Sequence, residues 1–440
     1  MAFTKILPAG ISTTGTVTLE RVETTNSIVS LGSTNQLYIN TDTPTVRPTL
    51  DLNFERDQRL DSRITFSRDS TATYLGSDGL IKTALAGEPR FEFDTDGNCL
   101  GLLIEESRTN LHLHSENLSS WYVETGGSVG VNTTSTVAPD GNQTADSLFG
   151  TLNGSSAYTI ISFSNATTYT FSVFLKYLTG NENIRIEIGD APFARSSTTF
   201  NTVTGALVSN TGGTATVNEV ESYGNGWYRY SITRTTTSAG GGFMDINHVS
   251  TTSSSVAVWG AQVESGSFAT SYIPTTTATV TRSADFAKIT GTNFTDFYNQ
   301  TEGTIFFRYK NLSLDTSTIR GVWGLENSSA PVSGVRSPQS GSLRIRLLYN
   351  TNFSPAESNL FLISTDYQNG IVSYNQTENR LMMNGTSDFV SATHTNDNDI
   401  IAMSIGSRTT NGDSPLGGHI SHLTYYPQRL SNAQLQNLTS

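Results

Sequence analysis

Several groups of residues in the chain have the types and spacing to do chemistry. Glu105 and Glu106 are adjacent carboxylates, and Asp51, Glu55 and Asp57 form a second acidic group. Paired carboxylates hydrolyse glycosidic bonds when they face each other across a cleft at about 5–10 Å. Neighbours on a strand point to opposite faces, so Glu105 and Glu106 cannot pair in this way by themselves. The acids at 51–61 alternate with Arg56, Arg59, Arg63 and Arg68, a pattern of solvated ion pairs. Asp94-x-Asp96-x-Asn98, with Glu105 eleven residues after Asp94, has calcium-loop spacing, but Cys99 replaces the glycine that such a loop needs at its sixth position. A β-turn is the simpler reading. Asn396-Asp397-Asn398-Asp399 is a further cluster of oxygen ligands and leaves calcium as the one cofactor to consider.

His112 and His114 alternate and would share one face of a strand as exposed residues. A useful zinc site needs a third ligand, and none is evident nearby. His419 and His422 fall on opposite faces of a strand. Cys99 has no recognisable histidine partner and reads as a small buried residue. The chain has no phosphate-binding glycine loop, zinc-protease helix or nucleophile elbow. The expectation is therefore no catalytic residues, no metal ligands and no enzymatic activity. Three aromatic pairs remain as candidate ligand-binding residues: Trp121 with Tyr122, Trp227 with Tyr228, and Tyr425 with Tyr426. An exposed ring can stack on the CH face of a sugar. On a strand, one member of each pair must point inward.

The elements that position these residues read as strands. In Tyr169–Tyr177 every odd position is apolar or aromatic, and Ile184-Arg185-Ile186-Glu187-Ile188 alternates strictly. Trp227–Ile232 follows a Gly224-Asn225-Gly226 turn, and Val256–Gly260 reads as a buried strand. A period of two gives one wet face and one dry face, as in antiparallel sandwiches. Leu50–Phe54 and Leu100–Ile104 are strands in a turn-rich block. Further strands are expected at Thr304–Tyr309, Leu343–Leu347, Leu360–Ile363, Arg380–Met383 and Ile400–Ile405. Ser431 caps a closing helix that has Leu435 and Leu438 on one face.

Composition agrees with this reading. Charged residues are 15 % of 440, and the net charge of −12 repels phosphates, which argues against nucleic acid as a partner. Cys99 is the one cysteine, so no intrachain disulfide can form. Met1–Pro8 lacks the marks of a signal peptide, and no stretch reaches the ~18 apolar residues of a membrane span, so no membrane insertion is expected. Asn-x-Ser/Thr triplets, as at Asn132 and Asn293, follow from the Asn/Thr richness.

The run Ile64–Tyr74 with Gly79-Leu80-Ile81-Lys82, then Glu88-Pro89-Arg90-Phe91 and Leu100–Leu111, resembles a segment of bacteriophage tail-fibre and virion structural proteins. In that family the segment leads into a carbohydrate-binding-module-like jelly roll. The matching pieces here are Gly224–Arg229, Trp259–Glu264, Phe268–Thr275 and Val280–Asp285. Gly418–Ile420 through Tyr425–Leu435 is similar to the closing strand and helix of concanavalin A-like, laminin-G-type sandwiches.

Taken together, the expected fold is all-β: tandem antiparallel sandwiches, a jelly roll plus a concanavalin A-like domain. The expected boundaries are an N-terminal anchoring segment at 1–46, a β-rich connecting block at 47–110, a jelly roll at 111–283 and a laminin-G-like sandwich at 284–440. The resemblance implies a virion protein assembled in the host cytoplasm. It would be a homotrimeric fibre or adhesin that grips other virion proteins through its N-terminal region and contacts host cell-surface glycan. A capsid decoration protein and a glycan depolymerase are the alternatives.

Overall fold

The computed structural model describes residues 21–24, 27–31, 37–39, 44–190, 194–211, 218–315, 318–328, 331–336, 346–349, 364–385, 387–391 and 399–440. The expected strand at 360–363, most of that at 343–347 and the 396–398 part of the oxygen cluster lie outside them. So does most of the expected anchoring segment, within which Arg21–Thr24, Ser27–Leu31 and Leu37–Ile39 form a three-stranded antiparallel sheet. The chain is nearly all β, and the strand pairs among the described residues are antiparallel, as in Ile184–Asp190 on Gly242–His248. No helix of the described residues is long and apolar enough to cross a membrane.

The jelly roll packs two six-stranded sheets face to face. The first contains β1 (Tyr122–Val123), β2 (Ser156–Phe163), β3 (Asn183–Asp190), β4 (Ala194–Asn201), β5 (Leu207–Thr211) and β6 (Gly240–His248), in the order β1–β2–β6–β3–β4–β5. The second is built on Thr168–Thr179, flanked by Trp227–Thr235 and Ser254–Ser265. The alternation in β3 has the expected result: Ile184, Ile186 and Ile188 are buried against Phe171, Val173 and Leu175 of the other sheet, while Arg185 and Glu187 lie on the outer face.

The second sandwich corrects the expected boundaries. Residues 47–110 contribute strands to it, while their hairpin Ala72–Leu75 with Ile81–Ala84 forms a separate sheet whose Ile81 packs with Trp227, Trp259 and Tyr272 of the jelly roll. Leu50–Asn53 and Cys99–Ile104 both pair with Gly418–Tyr426, and Phe91–Phe93 extends that sheet. Thr65–Ser67 pairs with Phe286–Thr290 in the opposing sheet. Leu50, Leu52, Phe54, Leu102 and Ile104 share one core with Trp323, Phe307, Met403 and Tyr425. The jelly roll is thus an insertion between two chain segments that fold together. Alternation identified these strands, but it carries no information on which strands pair. The capping box at Ser431 and Gln434 starts the closing helix, and Leu435 buries beside Ile371 and Leu430.

The chain leaves and re-enters the second sandwich through a two-stranded ribbon, Arg108–Asn110 against Val280–Arg282. A buried ion network lies beside it. Asp285 binds Arg68 at 2.9 Å and Arg90 at 2.5 Å, and Glu105 binds Arg90 at 2.8 Å and Arg282 at 3.5 Å. The Ser271 amide and hydroxyl donate to Glu105 at 2.8 and 2.7 Å. The two acids are also tied by backbone: Glu105 N donates to Asp285 Oδ2, and Asp285 N donates to the Glu105 carbonyl. Arg68, expected among solvated pairs, is instead 2 % exposed and donates to the Leu85 and Glu88 carbonyls. Burial by itself would raise the Glu105 carboxyl, but the Arg282 and Arg90 guanidiniums overcome it and hold Glu105 far below the usual carboxylate range.

Removing one partner of a buried ion pair strands the other, at a cost of about 3–5 kcal/mol. Asp285→Asn should therefore lower the urea unfolding midpoint sharply, whereas Arg56→Ala, on the exposed Arg56–Asp57 pair, should leave it unchanged. Equal midpoints for Asp285→Asn and wild type would remove the network from its structural role. Because Glu105 titrates lower folded than unfolded, its contribution is present at neutral pH and is lost on acidification below about pH 4.

Candidate ligand-binding face

Residues paired across an antiparallel sheet project to the same side. The first jelly-roll sheet therefore carries one row on its outer face: Tyr122, Tyr158, Asp245, Glu187, Ser197 and Thr211, from β1, β2, β6, β3, β4 and β5. A neighbouring row holds Ile160, Phe243, Gly189 and Arg195. A third holds Ser156, Asn247, Arg185 and Thr199.

The apolar end of this face is a platform. The rings of Tyr122 and Tyr158 stack with centroids 5.2 Å apart and planes 24° apart, which fixes Tyr122 while leaving it 59 % exposed. Ile160 is also 59 % exposed. The Phe243 ring lies over Gly189, where a Cβ would meet it at 2.5 Å, so glycine is the residue that lets the ring lie flat. Alongside Ile160 and Ser162 runs a groove of about 470 Å³ with Leu113, His114 and Ser120 in its wall.

The polar end is charged and ordered. Glu187, 2 % exposed, pairs with Arg185 at 2.8 Å and Arg195 at 3.5 Å. Asn247 donates to Asp245 at 2.5 Å. Burial, then the adjacent Glu187 charge, pushes the Asp245 carboxyl up to about 7. Aromatic surface beside fixed donors and acceptors is an arrangement that can bind a polyhydroxylated ligand, with rings on the platform and hydroxyls along the row.

Of the six residues proposed from sequence, Tyr122 lies on this face. Trp121 is 6 % exposed and donates its Nε1–H to His112 Nε2 at 3.2 Å. Trp227 is buried and donates to the Val137 carbonyl. Tyr425 is fully buried in the second sandwich and bonded to Tyr374 at 2.8 Å. Tyr228, half-buried, bonds the Val203 carbonyl, and Tyr426 packs beside the closing helix. His112 is not an exposed strand residue: it is 3 % exposed, and burial holds it down to about 3, which keeps Nε2 an acceptor for Trp121. His114 has φ 55 and lies in a turn. The Asp94 carboxylate accepts from the Asp96 and Asn98 amides and the Asn98 side chain, forming the turn between Phe91–Phe93 and Cys99–Ile104. No group of three His, Cys, Asp or Glu among the described residues could hold a metal ion. Sequence reasoning missed Tyr158, Phe243, Asp245, Asn247, Arg185 and Arg195. The alternation of β3 already marked Arg185 as outward, but nothing in the sequence set it opposite β6.

A second cleft, of about 550 Å³, separates the sandwiches and is lined by Glu92, Asp94, Glu219, Glu221 and Asp366, with His419 bonded to Glu92 at 2.7 Å. Burial, then the neighbouring Glu221, pushes Glu219 up to about 7. Glu221 is in the cleft yet open to solvent.

No protein-family model matches the chain, and no curated protein matches it. Solved structures resemble parts of it. Domain 4 of AbnA, an extracellular arabinanase of Geobacillus stearothermophilus in complex with arabinotriose, gives a TM-score of 0.30 at 13 % identity, over 36 % of this chain and 73 % of that one. The CBM40 of Ruminococcus gnavus IT-sialidase bound to α2,3-sialyllactose gives 0.27 at 15 %, over 34 % and 88 %. Trypanosoma rangeli sialidase gives 0.27 at 10 %, over 67 % and 60 %. Likeness at this level assigns neither family nor ligand.

Asp245 titrates higher folded than unfolded, so its contribution is full below about pH 4 and is lost as pH rises through about 7. Asp245→Asn should flatten the decline of melting temperature between pH 4 and 7. An unchanged slope would show that Asp245 is not held in this environment.

Proposed function

We propose that this chain is a glycan-contacting structural protein of a bacteriophage particle, of the fibre or adhesin type. The observation that carries the glycan part is the exposed, stacked Tyr122–Tyr158 platform beside the row of Asp245, Asn247, Glu187 and Arg185. The virion part is supported by the ordered segments that resemble phage fibre proteins. Tandem sandwiches agree with both parts, as does the net charge of −12. Trimerisation, attachment through residues 1–46 and assembly into the particle belong to the same proposal. Immunogold labelling of whole particles distinguishes a fibre from a capsid decoration protein by where the label falls.

On a glycan array, Tyr122→Ala combined with Tyr158→Ala should reduce binding at least tenfold, about 1.4 kcal/mol, with no change in melting temperature beyond a few degrees. Array signals equal to wild type would remove this face from recognition.

The second reading is a glycan depolymerase. One specific observation favours it: Glu219 is a carboxyl with the titration of a general acid, in a cleft that holds further acids. That reading requires release of reducing ends from host envelope polysaccharide, lost in Glu219→Gln. Equal end-group counts with and without the protein would dismiss it.

A further inference from the structure

We propose that the jelly-roll face takes a glycan carrying an oxyanion on a sugar, a carboxylate or a phosphate. Its uncharged rings would lie on Tyr122 and Tyr158, and its anionic group would lie at Arg195 and Arg185. The inference rests on the glycan-binding reading above and adds the chemical class of the ligand.

The argument starts from the charge on this face. Arg185 and Arg195 stand outward on neighbouring strands β3 and β4, and both reach the same carboxylate, Glu187. One buried anion thus serves two guanidiniums. Arg185 holds it closely, at 2.8 Å with 31 % of its side chain exposed. Arg195 holds it at 3.5 Å through one nitrogen, with 58 % of its side chain exposed, so most of its donors face outward. Glu187 fixes the position of both without neutralising both. Asp245, the other acid in the row, has a carboxyl pushed up to about 7, so it opposes an anionic ligand less than an ordinary carboxylate would.

A planar guanidinium fixed at its base and open at its tip is suited to bidentate capture of a carboxylate or phosphate. The surroundings make such a site necessary for an anionic ligand. The chain carries 26 Lys and Arg against 38 Asp and Glu, so its overall field repels anionic polysaccharide unless a local cation offsets it. The spacing fits an oligosaccharide lying across the strands. Tyr122 and Arg195 lie on strands four steps apart in the order β1–β2–β6–β3–β4, and at about 4.8 Å per step the span is roughly 19 Å. Phe243, over Gly189 in the same row as Arg195, continues the apolar surface between the two ends.

Calorimetry on the full chain tests this with three matched probes: a neutral oligosaccharide, the same backbone bearing a uronic acid, and the same backbone bearing a sugar phosphate. Wild type should bind one or both anionic probes at least tenfold more tightly than the neutral one, with affinity falling as salt rises. The stronger of the two identifies which oxyanion is preferred. Arg195→Ala should remove that preference, bringing the anionic affinities down to that of the neutral probe, whereas Tyr122→Ala should weaken all three probes. Arg195 is an exposed residue, and an unchanged melting temperature confirms that its variant folds. Neutral binding as tight as anionic binding, or an Arg195→Ala protein that keeps the preference, overturns the assignment of ligand class and leaves glycan binding standing. No binding of any probe, by a protein that also fails the array, overturns the glycan reading and this inference together.

Discussion

Five charged side chains buried away from solvent define the place where one sandwich is inserted into the other. Arg68, Arg90 and Arg282 surround Glu105 and Asp285, and none is more than 2 % exposed. Desolvating so many charges is unfavourable, and the cost is offset only when nearly every lone pair and proton finds a partner. Partners come from Ser271, from the carbonyls of Ser70, Thr73, Leu85 and Glu88, and from the amide of Glu105, whereas Arg90 Nε and Arg282 Nε and Nη2 have none among the described residues. These groups come from distant segments, as much as 217 residues apart for Arg68 and Asp285. The network can therefore form in only one arrangement of the two chain crossings, so it specifies the junction more than it adds stability.

That junction explains how one chain carries both a sandwich closed by distant segments and an open sheet face. The second sandwich uses strands from both ends of the described chain, with Leu50–Asn53 and Cys99–Ile104 both paired to Gly418–Tyr426. The jelly roll is tethered by the short ribbon at Arg108–Asn110 and Val280–Arg282 and by the packing around Glu106, Arg108 and Arg320. Its first sheet packs inward on Phe171, Val173 and Leu175, which leaves the outer rows with Tyr122, Phe243 and Arg195 for a ligand. Charges in the two places differ in kind. At the junction they are buried and paired with one another, although Arg90 Nε and Arg282 Nε and Nη2 have no hydrogen-bond partner among the described residues. On the face, Glu187 is shared by two arginines and Arg195 keeps open donors.

The segments singled out along the sequence acquire a physical meaning from the junction. Arg68, Arg90, Glu105, Ser271, Arg282 and Asp285 each lie within one of those segments, and all six meet at the network. What reads as a string of motifs along the sequence is one clamp in three dimensions. These segments therefore join the modules, whereas the outer face of the jelly roll draws on other residues, among them Tyr158, Asp245 and Arg195.

By itself, the sequence determined the class of fold. Strict alternation at Ile184–Ile188 and Tyr169–Tyr177 requires strands with one dry face, and Ser431 with Gln434 sets the start of the closing helix, because these signals act between near neighbours in the chain. It also made Tyr122 a candidate contact, although it could not separate Tyr122 from the buried Trp121 beside it. Pairing was decided only by the tertiary structure. Which strand lies next to which depends on burial and register summed over distant segments, and no local pattern encodes it. For that reason Leu50–Asn53 and Cys99–Ile104 read as part of a connector yet pair within the second sandwich, Arg68 read as solvated yet is buried, and Tyr158, Asp245, Glu187 and Arg195 became one surface only when β2, β6, β3 and β4 came side by side.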